Sequence, residues 1–426
     1  MVAEAPTFAV VDQTQGTMHF TQSVIAPAVG LAQDLYEPLI AVSKQGTIYV
    51  AAHVAGAVST GTPAYVSTDD GKSWKPLPML SSVTAPSPVQ GSAPPEGDEG
   101  AIVAGDDGHA YLADVSLHSF PVEGWCDNGA TQCYHNPNAY DRAAATQGSC
   151  ENGGSVATSL NDRPWAAYAN GTLLLSNNNG NGQVQVGVLP VPPALPADVR
   201  PATWNLCANP GASGAIPGVP SMRPDLTFIV PQYDNKGAVH VVRGNARDIA
   251  NTQVLPAFNV TSRGGAAFGS DAYFGVSAVD RAGNFYVAFE NNTQKAGRFA
   301  VGLSTDGGRS FRATTFATTG KTSFLYVSGS QNGTGALVSW MEDSAVSGAA
   351  DIYAAHLVPE AGGLVVRDGS VVARGVKVPC GDVMGSATGP DGRAYVVVFA
   401  DPNSCTDTPG SHPLSVYVQA KGGATI

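Results

Sequence analysis

Between residues 36 and 399 the chain returns repeatedly to one local pattern: a short apolar run, a turn of Gly, Asn or Asp, and a second apolar run. The copies are Pro38–Val42 with Thr47–Ala51, Ala101–Ala104 with His109–Ala113, Trp165–Tyr168 with Thr172–Leu175, and Leu226–Val230 with Ala238–Val242. They continue as Tyr273–Val276 with Asn284–Ala288, Phe324–Val327 with Ala336–Trp340, and Val383–Ser386 with Ala394–Val398. Each pair reads as a β-hairpin, because the runs are short and apolar and the residues between them supply turns. A spacing of roughly 45 to 65 residues belongs to repeat architectures built from small sheets that cannot bury their faces alone. Long helical periodicity is absent, so strands must carry the fold.

Two stretches share a tighter motif. Ser67-Thr68-Asp69-Asp70-Gly71-Lys72-Ser73-Trp74 and Ser304-Thr305-Asp306-Gly307-Gly308-Arg309-Ser310-Phe311 both read Ser-x-Asp-x-Gly-x-x-aromatic. Gly can take positive φ, the Asp and Ser side chains can bond nearby backbone N–H groups, and the ring can fold back as a plug, so a turn is expected. The motif resembles the Asp-box of sialidases and of the wider bacterial neuraminidase repeat proteins. That resemblance implies a β-propeller in which Ser67, Asp69, Gly71, Trp74, Ser304, Asp306, Gly308 and Phe311 are structural and do no chemistry. With the hairpins it gives an all-β fold: one β-propeller domain over residues 1–426, of four-stranded blades. Seven blades are expected, or six should one hairpin be a loop excursion. Each hairpin is then the inner two strands of a blade, and each Asp-box the turn between the outer two. Thr17–Gln22 is expected to add the outer strand of the last blade, which ends Ser415–Gln419, and so to close the ring and remove its exposed edges.

Composition narrows the partners. Lys and Arg total 22 against 34 Asp and Glu, a formal charge of −12, which argues against nucleic acid and anionic membranes because both need a basic surface. No run approaches the roughly 18 apolar residues needed to span a bilayer. The opening Met1-Val2-Ala3-Glu4-Ala5-Pro6 has no basic region followed by an apolar one, so no signal peptide is read there. The cysteines nevertheless favour a secreted, extracytoplasmic protein. Cys126, Cys133, Cys150, Cys207, Cys380 and Cys405 are even in number, lie in Gly/Asn/Pro-rich contexts and form no Cys-x-x-Cys pair, so disulfides are expected rather than zinc. Cys380 and Cys405 flank one hairpin and are expected to pair; pairing among the other four stays open. A monomer is expected.

Residues 115–160 and 189–222 break the rhythm and read as long ordered insertions. In a propeller the chain enters each inner strand on the face that surrounds the mouth of the central channel. Residues just before or at those strands are Glu37, Asp98, Glu99, Asp162, Arg163, Asp225, Asp271 and Asp382, an acidic residue in almost every blade, with Lys321 in the remaining one. The first insertion is expected to bring Trp125, Tyr134, His135, Tyr140 and Arg142 to the same face as substrate-binding groups. Paired carboxylates can act as general acid and as base or nucleophile on a glycosidic bond, clustered oxygens can hold Ca²⁺, and aromatic platforms bind sugars.

True sialidase chemistry is not expected. That family takes the substrate carboxylate with an arginine triad whose first member lies in an early Arg-Ile-Pro, whereas no such tripeptide occurs here and the first arginine is Arg142. His-Glu-x-x-His, Gly-x-Ser-x-Gly, Walker and Gly-x-Gly-x-x-Gly motifs are also absent. His53, His118 and His356 end apparent strands and read as isolated. The expectation is an exported glycoside hydrolase or lyase acting on a glycan, requiring no cofactor. The alternative is a non-catalytic glycan- or protein-binding propeller with a structural Ca²⁺.

Overall fold

A computed structural model describes residues 7–10, 16–26, 35–54, 63–77, 98–106, 108–115, 122–126, 132–136, 162–178, 184–190, 206–208, 216–233, 239–256, 275–290, 297–346, 348–377, 384–399 and 413–426. The fold is an all-β propeller of four-stranded blades, and the strands among these residues pair into seven sheets.

Sheet 1 contains Leu35–Val42, Ile48–Val54, Ala64–Ser67 and Lys75–Pro76; sheet 2 contains Asp98–Ala104, His109–Val115, Val122–Cys126 and Gln132–Asn136. Sheet 3 is formed by Asp162–Ala169, Thr172–Asn178, Val184–Pro190 and Leu206–Ala208. Sheet 4 begins with the short Ile216–Pro217 and Ser221–Met222 on one line, then Thr227–Tyr233, Val239–Asn245 and Gln253–Val254. Sheet 5 comprises Val276–Val279, Phe285–Glu290, Arg298–Ser304 and Arg312–Ala317, and sheet 6 comprises Thr322–Gly329, Ala336–Asp343, Ala349–Glu360 and Gly363–Lys377. Sheet 7 has Gly385–Thr388, Ala394–Phe399 and Leu414–Gln419, with Phe20–Ile25 antiparallel along its outer edge. The first strand of each sheet packs on the sheet before it, and that of sheet 1 packs on sheet 7.

This stacking explains why the second strands read as continuous apolar runs rather than alternating ones. Phe285–Glu290 and Ala394–Phe399 are buried at every position, because a neighbouring sheet covers each face. The turns between first and second strands share one bond pattern: Ser43 N to Thr47 O, Arg223 N to Thr227 O, Asp280 N to Asn284 O and Gly389 N to Arg393 O. They define a turn rim. The opposite rim, where the first strands begin, is the mouth.

Sheet 4 corrects the reading of its hairpin. The Leu226–Val230 and Ala238–Val242 runs fall in its second and third strands, not its first and second. The true inner strand is split by Gly218 and Pro220 and shows no alternation, which hides it in the stretch read as the insertion 189–222. Gly218 is there because backbones nearly touch: a Cβ at this position would lie 1.7 Å from Gly275 O. Val219 N donates to Gly275 O at 3.1 Å and Ser277 N to Val219 O at 2.9 Å, a parallel bridge joining sheets 4 and 5. The stretch read as the insertion 115–160 is likewise shorter, since Val122–Cys126 and Gln132–Asn136 complete sheet 2.

The Ser67–Trp74 stretch joins the third and fourth strands of sheet 1. Ser67 Oγ donates to Asp69 Oδ1 at 2.8 Å and accepts from Gly71 N at 2.9 Å, while Asp69 also accepts from Ser73 N at 2.9 Å. Bonds from the Ser73 hydroxyl and amide, against a small effect of burial, hold the Asp69 carboxyl down at about 2. Ser304, Asp306 and Gly308 repeat the arrangement in sheet 5. Both turns also grip the preceding sheet. Arg243 Nε donates to Gly307 O at 2.8 Å, and Arg393 Nη2 reaches Asp70 Oδ1 at 2.6 Å while its Nε reaches Asp391 Oδ2 at 2.6 Å. Trp74 Nε1 donates to Ser23 Oγ at 3.0 Å, pinning the strand from the N-terminal end of the chain. Arg393→Ala is expected to cost about 2 kcal/mol in urea unfolding, less than a fully buried pair because Asp70 and Asp391 keep access to water.

Residues 7–10 and 16–25 of the N-terminal segment lie against three sheets. Thr7–Val10 pairs in parallel with Arg312–Ala317 at the edge of sheet 5. Thr17 then donates through its N–H and hydroxyl to Asp368 at 3.1 and 2.7 Å, and Met18 N donates to Ser370 Oγ at 3.2 Å, all on the outer strand of sheet 6. Phe20–Ile25 completes the path on sheet 7.

His356 lies fully buried in the third strand of sheet 6, opposite Leu337 and Asp368, and neither ring nitrogen has a hydrogen-bond partner. Burial pushes its pKa down to about 4; Asp368 opposes that shift and Arg367 adds to it. The folded state therefore resists the proton that the unfolded chain accepts near pH 6.5. The contribution of His356 to stability is whole above that pH and is lost as pH falls toward 4, amounting to about 3 kcal/mol at the acid end. His356→Leu should flatten the stability profile across this window in urea titrations at stepped pH.

Candidate active site at the channel mouth

Four inner strands share an irregularity near the mouth. The pairing of first and second strands slips between Tyr36 and Leu39 in sheet 1, Asp98 and Ala101 in sheet 2, Asp162 and Trp165 in sheet 3, and Ser323 and Tyr326 in sheet 6. The skipped residues are Glu37-Pro38, Glu99-Gly100, Arg163-Pro164 and Phe324-Leu325. Two of the pairs contain Pro, which has no N–H for the ladder, so the slip is written into the chain. Such bulges bend a strand and re-aim a side chain, and they collect beside active sites. Glu37 and Phe324 both adopt positive φ, 49° and 52°, in a region that costs any residue with a Cβ.

Glu37, Asp98, Glu99, Asp162 and Arg163 thus stand at the mouth ends of the inner strands of three consecutive sheets. Asp225 does not join them. It sits in the first turn of sheet 4, on the turn rim, accepting from Thr227 N at 2.9 Å and facing Arg223 at 3.5 Å. Burial tends to raise its pKa, but the Thr227 bonds and the Arg223 and Arg243 charges together lower it. The displacement follows from the one-strand shift of that hairpin. Trp125 is also misplaced: it lies in the third strand of sheet 2 opposite Ala110, toward the turn rim, and Tyr134 and His135 belong to the fourth strand. Gly and Cys in these short strands disguise them as loop. Asp271, Asp382, Tyr140, Arg142, Cys380 and Cys405 lie outside the described residues.

Two buried carboxylates at the mouth escape sequence reasoning. Glu290 and Glu342 fall at or near the ends of the second strands of sheets 5 and 6. Glu342 accepts from Trp340 Nε1 at 2.8 Å, Thr319 Oγ1 at 2.6 Å and Gly320 N at 2.9 Å, which fixes the link into sheet 6. An acid closing an otherwise apolar strand is the available signal. Deeper down, Val219 and Tyr326 pack against residues of sheets 1 to 3 and of sheets 5 and 6 alike, reaching across the axis. On the turn rim Gln331 Nε2 donates to Val42 O at 2.8 Å and Thr388 O at 2.6 Å, tying together the inner turns of sheets 6, 1 and 7. Among the described residues no cluster of three His, Cys, Asp or Glu is disposed to hold a metal ion, and no helix is long and apolar enough to cross a membrane.

No family model and no curated protein matches the chain. Similar solved structures exist. The GH93 α-L-arabinofuranosidase of Fusarium graminearum is 12% identical, with 95% of this chain and 98% of that one covered at a TM-score of 0.47. The phage phi92 endosialidase is 11% identical, over 98% and 71% of the two chains, also at 0.47. The Aleuria aurantia lectin, described as a six-bladed β-propeller, is 10% identical over 84% and 100% at 0.43. At that distance no substrate and no chemistry passes from these proteins to this chain.

Proposed function

We propose that the protein is an exported carbohydrate-active enzyme, a glycoside hydrolase or lyase and not a sialidase, that works on a glycan at the channel mouth. The observation that carries this reading is the set of matched bulges placing Glu37, Glu99 and Arg163 at equivalent positions on adjacent inner strands. Hydrolysis needs one carboxyl to protonate the leaving oxygen and another to attack or to activate water, about 5 Å apart for retention or roughly 6.5 to 9.5 Å for inversion. Neighbouring carboxylates raise one another's pKa, which keeps one of them protonated as the acid. In this division Glu37 and Glu99 form the pair, with Asp98 and Asp162 beside them and Arg163 orienting substrate. A ring of seven blades closed by Phe20–Ile25 is supported by the seven sheets and by the antiparallel pairing of that strand with Leu414–Gln419.

The test is reducing-sugar or unsaturated-product release from arabinan, galactan, xylan and polygalacturonate. Glu37→Gln and Glu99→Gln are each expected to lower kcat by about a hundredfold or more with the fold intact. Full activity in both variants overturns the assignment, and tight binding of a glycan without turnover by the natural chain identifies a binding propeller instead.

A further inference from the structure

Sheet 6 carries the fourth matched bulge, and its residues differ in kind from the other three. Where sheets 1, 2 and 3 place Glu37, Glu99 and Arg163, sheet 6 places Phe324. Phe324 holds φ at 52°, almost the value of Glu37 at 49°. A left-handed backbone is unfavourable for an aromatic residue, and persists only where its surroundings enforce it. The Phe324 side chain packs against the cluster between sheets 6 and 7 that includes Met341, Ile352 and Met384, and stays partly exposed.

Tyr326 follows two residues further along the same strand. It is enclosed by apolar side chains from both sides of the channel, yet part of its surface is accessible. Its hydroxyl makes no hydrogen bond among the described residues, and burial alone pushes its pKa upward, so it stays a neutral donor and acceptor. Sheet 6 lies across the ring from sheets 2 and 3, with sheets 4 and 5 between on one side and sheets 7 and 1 on the other. The mouth therefore carries Glu37, Glu99 and Arg163 on one side and the aromatic pair Phe324 and Tyr326 on the other.

We propose that Phe324 and Tyr326 form the sugar-binding wall of the site, the ring of Phe324 stacking on the apolar face of a neutral sugar and the Tyr326 hydroxyl bonding one of its hydroxyls. This rests on the carbohydrate reading above and names its substrate class: a neutral glycan, since a stacking ring and a neutral phenol recognise an apolar sugar face and a hydroxyl rather than a carboxylate. Apolar pockets with a few placed polar groups are how small ligands are held and oriented. The left-handed turn at Phe324 then has a purpose, since it sets the ring at the rim where a regular strand would turn it away.

The test compares Tyr326→Phe and Phe324→Leu with the natural chain for binding of arabinan, galactan and xylan by calorimetry and affinity electrophoresis. Tyr326→Phe deletes an oxygen that bonds nothing among the described residues, so the fold should stand while affinity for the bound neutral glycan falls about tenfold. Phe324→Leu should weaken binding similarly, Phe324→Tyr should restore it, and KM should rise with kcat little changed, unlike the kcat loss expected of Glu37→Gln. Folded Tyr326→Phe and Phe324→Leu variants that bind as the natural chain does overturn this inference and leave the enzymic reading standing. A natural chain that ignores all three neutral polymers but processes polygalacturonate overturns the neutral substrate class alone. No binding or turnover of any of the four overturns both.

Discussion

Gly218→Ala is expected to leave little folded protein. The added carbon would lie 1.7 Å from Gly275 O and 3.1 Å from Pro231 Cγ, and the first of these is backbone that cannot rotate aside. That carbonyl is also held by Val219 N, and Gly218 N itself donates to Pro231 O at 2.7 Å, so relief of the clash must break the bridge between sheets 4 and 5. A forced separation of inner strands falls in the rare class of substitutions costing more than about 4 kcal/mol, a large part of a typical stability of about 5–15 kcal/mol. Gly46→Ala is the control. Gly46 has φ of 87° but an added Cβ there would meet nothing within 4 Å, so only the backbone penalty of about 1 kcal/mol applies. Soluble yield and circular-dichroism melting of the two variants side by side decide the matter; equal melting would mean the inner strands have slack that the geometry denies.

The second large effect is expected from removing residues 1–26. The deletion takes away the strand along Leu414–Gln419, the Thr17 and Met18 bonds to sheet 6, and the partner of Trp74 Nε1. It also uncovers the pockets of Met18 and Ile25, each almost fully buried and each worth about 2 kcal/mol by burial alone. Leu414–Gln419, buried along its whole length, becomes an open edge and a template for association. The truncated chain should aggregate or melt without cooperativity in scanning calorimetry. Supplying a peptide of residues 16–26 should restore a single transition, because the missing pieces form a continuous segment; a truncated chain that melts as sharply as the full one would show that this strand does little to hold sheet 7.

How far the sequence speaks depends on the element. Hairpins such as Asn284–Ala288 with its partner, and Ala394–Val398 with its own, are legible because strands sandwiched between sheets are apolar throughout and the Gly turns between them have one reading. The inner strand of sheet 4 is not legible, since what sets it is the approach of a second backbone at Gly218, and composition records that only as a loop residue. Of the candidate site, Glu37, Asp98, Glu99, Asp162 and Arg163 follow from counting hairpins, and Asp225 goes astray because one hairpin is assigned a strand too early. Glu290 and Glu342 escape because an acid ending an apolar strand resembles the start of a loop. The left-handed turns at Glu37 and Phe324 leave no mark at all, for neither residue type favours them.

The pairing of Phe20–Ile25 with Leu414–Gln419 has a consequence for how the molecule is made. Phe20–Ile25 is made long before Leu414–Gln419, with which it pairs, a separation of 397 residues at the Thr21 to Val418 contact. No intermediate length of chain can satisfy it. Sheets 1 to 6 can form in order as they emerge, but Phe20–Ile25 has no partner on sheet 7 until Leu414–Gln419 is made. Contacts so distant in sequence also slow the final step. A chain built this way has an interval in which that strand can be passed on unpaired, and it gains this contact only when two segments far apart in sequence meet.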